Sequence, residues 1–151
     1  MATYGSEQGV EGINAHMIGG YTSSTTPTSA QVATWLLQGA AMLDAALARS
    51  GYSTPVAYTV ACYPVIVRMN DLYAAACAEQ AVNISTAGPG EETRSEKLMK
   101  QYKAELADFL TGDLTLAGLS RVTSSASPRR RIRSLPLRHY DGYAVNSDGY
   151  E

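Results

Sequence analysis

A mainly α-helical fold, a small bundle of three main helices, is what this sequence predicts, and three observations predict it. Apolar residues recur at three- and four-residue steps over three long stretches. Start and stop residues of the right chemistry bracket those stretches. The apolar inventory leans on Ala, Leu, Val and Tyr, with a single Trp (Trp35) and a single Phe (Phe109). That mix suits close-packed helices better than a sandwich, which favours β-branched and aromatic residues. At 151 residues, 45% of them hydrophobic, one core is expected.

Residues 1–28 are rich in Gly, Ser and Thr and are expected to form a flexible, loop-rich N-terminal segment. A weak amphipathic turn spans Gln8 to Met17. The run Gly19 to Pro27 is loop by composition, because a residue before proline avoids the helical region.

The body is expected over residues 29–120. Thr28 or Ser29 is a natural N-cap for the first main helix, its side-chain oxygen accepting a free first-turn amide. Val32, Trp35, Leu36, Gly39, Leu43, Ala46 and Leu47 then fall on one stripe, with Gln31, Thr34, Gln38 and Arg49 opposite. On such a stripe Trp35 reads as core. Gly51 follows as the residue that tolerates positive φ beyond a helix end.

Residues 52–60 read as extended or turn-like. A second main helix begins within a residue or two of Pro64, which a first turn accepts because that amide is unpaired anyway. Ile66, Met69, Tyr73, Ala76, Cys77, Gln80 and Ile84 mark its expected buried stripe, and Thr86 to Gly90 dissolve it. The third main helix opens with Thr93 and Glu96 at capping-box spacing. Leu98, Tyr102, Leu106, Phe109 and Leu110 follow at helical steps. Glu96 and Lys100 are expected to pair across one turn. Gly112 stops it, and residues 114–119 form a short apolar link.

Residues 121–151 keep no helix or strand period and read as a long extended C-terminal arm. It carries Arg129, Arg130, Arg131 and Arg133 in one run, then Leu135, Leu137, Arg138, Tyr140, Tyr143 and Tyr150. Such a segment cannot by itself bury enough apolar surface to offset its ordering entropy, so a partner surface is expected. Charge divides along the same line. Residues 1–120 carry a net −5 and residues 121–151 a net +3, within an overall −2. An acidic body with a basic tail points to a partner for the tail. The tail's arginines suit nucleic-acid phosphates. Its interleaved Leu and Tyr residues favour docking on an acidic protein surface, where they would be buried anchors.

Sequence signatures of catalysis are missing. Gly88 to Glu92 has neither the spacing nor the lysine of a phosphate-binding loop, and neither a dinucleotide fingerprint nor a nucleophile elbow occurs. His16 and His139 lie at opposite ends and apart from Cys62 and Cys77, which disfavours metal ligation or a Cys–His pair. On one helix the two cysteines would sit roughly 22 Å apart, beyond disulfide reach. No enzyme activity and no cofactor are expected. The N-terminus lacks a secretory pattern and no apolar run approaches bilayer length, so a soluble, intracellularly made chain without membrane contact is expected.

The stretch from Tyr21 to Pro55 resembles the head–tail connector (adaptor, or head-completion) proteins of tailed bacteriophages. The residues that carry the resemblance are Tyr21-Thr22, Thr26-Pro27-Thr28, Gln31-Val32-Ala33-Thr34-Trp35-Leu36, Leu43-Asp44-Ala45-Ala46-Leu47 and Gly51-Tyr52-Ser53-Thr54-Pro55. The three-helix order over roughly residues 20–115 is also similar. The resemblance implies a homo-oligomeric ring, twelve-fold in that family, seated on the portal in the virion neck after synthesis in the host cytoplasm. It implies contact with a stopper or tail-terminator protein, and a channel that passes genomic DNA without reading its sequence. The arm residues Arg129 to Tyr150 would then be the docking arm. The alternative from the residues alone is a small helical nucleic-acid-binding regulator that uses the arginine tail.

Overall fold

A computed structural model describes residues 4–17, 19–82, 92–111, 118, 119 and 122 of the chain. Four helices form it: α1 (Glu7–Ile13), α2 (Ser29–Arg49), α3 (Tyr63–Val82) and α4 (Arg94–Thr111). Among the described residues there is no strand. The expected mainly α bundle of three long helices is therefore present, with a short fourth helix added at the front.

Both ends of α2 are set locally. Thr28 caps it, accepting from the Gln31 amide at 3.3 Å, while the Gln31 side chain accepts from the Thr28 amide at 2.9 Å. This is a reciprocal capping box, and the two bonds satisfy donors that no helical carbonyl reaches. At the other end Gly51 takes φ +83. Its amide donates to Ala48 O and that of Tyr52 to Leu47 O, both at 3.0 Å, which closes the last turn as a Schellman motif. For α4 the expected capping box is present: the Thr93 amide donates to Glu96 Oε2 at 2.8 Å and the Glu96 amide to Thr93 Oγ1 at 3.2 Å. That engagement holds the Glu96 carboxyl below its usual range, and it explains a difference from expectation. Lys100 pairs with Glu92 at 3.1 Å rather than with Glu96.

The centre of the bundle is α3, which packs against α1, α2 and α4. Leu43 and Leu47 near the end of α2 share a cluster with Ile66 and Met69 near the start of α3. Val32 and Leu36 at the start of α2 meet Ala74, Ala75 and Ala78 late in α3, so the two helices run antiparallel. The alanines let α1 and α2 approach closely. Because neighbours lie on three sides, α3 is buried well beyond a single stripe: Asn70, Asp71, Leu72, Ala74 and Ala75 are buried alongside Ile66, Met69 and Ala76. The one-stripe reading of this helix is corrected accordingly. Gln80, expected inside, is exposed; Tyr73 and Cys77 are half-buried. Ile84 and Gly112 lie outside the described residues.

From α4, Tyr102 and Phe109 enter the core, whereas Leu110, one position past Phe109, turns to solvent. A fully buried side chain of this size contributes about 2–3 kcal/mol. Trp35 is half-buried at the edge of the second cluster rather than central to it. Cys62 and Cys77 are free thiols, and burial raises both above the ordinary thiol range.

The N-terminal segment is part of the core, not a flexible lead. Tyr4, Val10, Asn14 and Pro27 are fully buried. Tyr4 OH donates to Asp44 Oδ1 at 2.5 Å and accepts from the Val56 amide at 2.8 Å. Asn14 Nδ2 donates to Tyr21 OH and to Ala75 O, both at 3.1 Å. These bonds carry residues 4–21 across α2 and α3. Sequence periodicity misses them because α1 is only seven residues long and its anchors are single polar side chains.

Candidate functional site

Three helices leave a cleft of about 410 Å³ between them, with Ile13 of α1, Val67 and Leu72 of α3, and Leu98 of α4 forming apolar walls. Two charged residues of α3 line it, Arg68 and Asp71. Asp71 on α3 lines the cleft and is only 7% exposed. Its Oδ1 accepts from the Ser6 amide at 3.1 Å.

The chain makes room for this carboxylate with two glycines. A Cβ built on Gly5 would stand 2.1 Å from Asp71 Oδ1, and one on Gly9 would stand 2.2 Å from Oδ2. Gly5 also takes φ +83, a conformation that side chains disfavour. Ser6, between them, caps α1 by accepting from the Gly9 amide at 3.1 Å. The same short turn thus starts α1 and holds Asp71.

Burial pushes the Asp71 carboxyl up to about 6, with the Ser6 amide opposing that shift. Among the described residues no cationic side chain forms an ion pair with it. Arg68, one turn earlier on α3 and also lining the cleft, is engaged by Glu105 at 3.2 Å, and Gln101 donates to that same carboxylate at 2.9 Å. A buried carboxylate without a cation is costly and is more often kept for binding than for stability. Gly9→Ala is expected to lower the unfolding free energy by about 1–3 kcal/mol, because the new methyl displaces Asp71. Urea midpoints at neutral pH check it, and an unchanged midpoint would mean that α1 is not seated on Asp71.

A second polar cluster lies at the far end of α1. Glu79 Oε1 stands 3.3 Å from His16 Nδ1 and 3.1 Å from Arg94 Nε, neither as an aligned hydrogen bond. Arg94 also donates to Ile13 O at 2.7 Å. This cluster staples the end of α1 to α3 and α4. It places His16 in an ordered setting that its loop-rich surroundings in the sequence do not predict.

The outward face of α2 has a different character. Leu37 and Met42 are 43% and 49% exposed, and Ala41, Ala45 and Ala48 beside them are exposed too. From Ser29 to Ala48 the only charged residue is Asp44, whose carboxylate accepts from Tyr4 OH. Solvated helix faces ordinarily carry charge.

The arm residues singled out from the sequence, Arg129, Arg130, Arg131, Arg133, Leu135, Leu137, Arg138, Tyr140, Tyr143 and Tyr150, lie outside the described residues. The signature residues between Tyr21 and Pro55 are scaffold. Tyr21 is buried against Asn14, Thr28 and Gln31 form the cap, Asp44 holds Tyr4, and Gly51 closes α2. Asp71 was missed at the sequence level, although one signal was available: Asn70-Asp71 is a polar pair followed by the apolar run Leu72 to Ala78 within one helix.

Among the described residues no group of three or more His, Cys, Asp or Glu side chains is placed to hold a metal ion, and no helix is long and apolar enough to cross a membrane. Comparison with known proteins yields no relative: no family model, no curated protein and no solved structure matches this chain.

Proposed function

We propose that this chain is a structural virion protein, a head–tail connector whose copies form a ring between portal and tail and extend the DNA channel. The observation that carries the reading is the uncharged outward face of α2, flanked by the exposed Leu37 and Met42 at its two edges. A ring of identical subunits needs two different surfaces that meet and close, and an uncharged helix face suits one side of such a contact. The resemblance of the Tyr21–Pro55 stretch to connector proteins supports the same reading. The acidic body suits a channel wall that passes DNA without gripping it. The basic, Tyr-containing arm suits docking on the portal and on a stopper or tail-terminator protein.

Native mass spectrometry of the full chain, with and without the portal of the same phage, tests the ring. A closed oligomer, alone or on the portal, is expected; a monomer that ignores the portal overturns the reading. Changing Arg129, Arg130, Arg131 and Arg133 together to Ser is expected to abolish portal docking while circular dichroism of the body stays unchanged. Loss of helicity along with docking would show that the arm belongs to the core.

The arginine run favours one rival, a small helical nucleic-acid-binding regulator. Its mark would be an affinity for nucleic acid that falls steeply with salt and disappears when the arm is deleted.

A further inference from the structure

The cleft beside Asp71 has the chemistry of a receptor for a cation flanked by apolar groups, and the chain carries one concentrated source of such groups. Arg129-Arg130-Arg131-Ile132-Arg133 places an isoleucine among four guanidiniums. Elsewhere the cations are scattered, and those nearest the cleft are committed: Arg68 to Glu105 and Arg94 to Glu79.

Reach decides which copy of the run arrives first. The Val122 amide donates to Gly51 O at 2.8 Å, which ties the chain to the end of α2 just before the arm. That end of α2 packs beside the start of α3, because Leu47, Val56, Cys62 and Ile66 share one cluster. Asp71 is the ninth residue of α3, about 12 Å along its axis from that start, and a helix diameter adds about 10 Å across. Seven residues, the separation of Val122 from Arg129, can span at most about 24 Å. The first arginines therefore reach their own body, at an effective concentration that a separate copy does not match at ordinary dilution.

We propose that the Arg129–Arg133 run seats in the α1–α3–α4 cleft of its own chain, a guanidinium on the Asp71 carboxylate and Ile132 on the apolar walls, as a latch that parks the arm. The latch compensates the one buried carboxylate that lacks a cation among the described residues and covers the walls of the cleft. A stronger acidic partner surface then releases the arm, so docking and latching compete for the same arginines. The latch concerns regulation of the arm and fails separately from the connector reading. A chain that forms rings but shows no arm effect on Asp71 loses the latch alone, whereas a latched chain that ignores the portal loses the connector reading alone.

The test is the titration of the Asp71 carboxyl, followed by carbon-13 NMR in the full chain and in the variant with all four arginines of the run changed to Ser. On the elements packed around Asp71 the charged groups are Glu7 and Glu11 of α1, Asp44 and Arg49 of α2, Arg68 and Glu79 of α3, and Arg94, Glu96, Lys97, Lys100, Lys103, Glu105 and Asp108 of α4. Arg68 is paired with Glu105, Arg94 with Glu79 and Lys100 with Glu92, and Glu11 accepts from the Tyr21 amide. With the arm latched, the Asp71 midpoint is expected about 1–3 units lower than in the four-Ser variant. Stability supplies a second readout of known sign. In the four-Ser variant burial acts without an opposing cation, so the folded-state value is expected to stay raised from 3.8 toward about 6. Its stability is therefore greatest below the lower value and falls as pH rises between the two. In the full chain that fall is smaller, in proportion to how far the latch lowers the folded-state value. Equal midpoints in the two chains overturn the latch. So does an arm effect that vanishes in an Arg68→Gln background, because Arg68 would then be the cation. An arm effect lost on dilution assigns the arm to a second copy and overturns it as well.

Discussion

Tyr4→Ala is expected to cost about 4 kcal/mol of unfolding free energy, a fall in Tm of roughly 10 °C. Tyr4 is fully buried in the main cluster, edge-on to Tyr63 with ring centroids 5.9 Å apart. Truncation removes that packing and leaves a cavity that α2 and α3 cannot close without moving. It also removes the hydroxyl that bonds Asp44 and the Val56 amide. Burial, with the Asp44 hydrogen bond second, raises the Tyr4 hydroxyl far above the ordinary tyrosine range, so it remains a donor at any working pH. Tyr4→Phe isolates the polar part. It keeps the ring but leaves a buried amide without its acceptor, and about 1–3 kcal/mol is expected. Urea unfolding of the three proteins measures both. If Tyr4→Ala unfolds with the parent, residues 4–13 are an appendage and the described core is wrong at its front.

Gly39→Ala is the second large effect, about 3 kcal/mol. A Cβ on Gly39 would lie 2.1 Å from Asn70 Oδ1 and 2.8 Å from a ring carbon of Tyr73. Neither neighbour can step aside freely. Asn70 is fully buried and donates through Nδ2 to Tyr4 O and to Leu36 O, the latter at 3.0 Å. Tyr73 packs at a tilt against Tyr102, with ring centroids 5.5 Å apart. The helix crossing of α2 and α3 must therefore open, or Asn70 must abandon its carbonyls. Adding Asn70→Ala removes the obstructing amide, so the double variant is expected to lose less than the sum of its two parts. Such coupling is usual for residues in contact. Simple additivity in denaturant midpoints would mean that Gly39 and Asn70 do not touch.

Legibility in the sequence follows the range of the interactions. Local signals read correctly: Thr28 as a cap, Gly51 as a stop, and Thr93 with Glu96 as a capping box all operate within one turn. The α2 stripe of Val32, Leu36, Leu43 and Leu47 also read correctly, because that helix buries one side. The pattern of α3 did not, since a helix covered on three sides needs no single stripe. The Lys100 partner was misassigned because Glu96 was already committed to its cap. Glu92 could be recognised only once both ends of the turn were placed.

The sequence by itself determined the helical class, both ends of α2 and the start of α4, the apolar stripe of α2, and the charge split between residues 1–120 and 121–151. Each of these depends on near neighbours in the chain or on composition alone. Only the tertiary structure decided that Tyr4 and α1 belong to the core, that Gly39 makes room for Asn70, and that Asp71 is buried beside a cleft without a cation among the described residues. Those facts pair residues 31 to 66 positions apart. Contacts of that separation leave no periodic trace, because each depends on a single side chain meeting a distant backbone or a distant glycine.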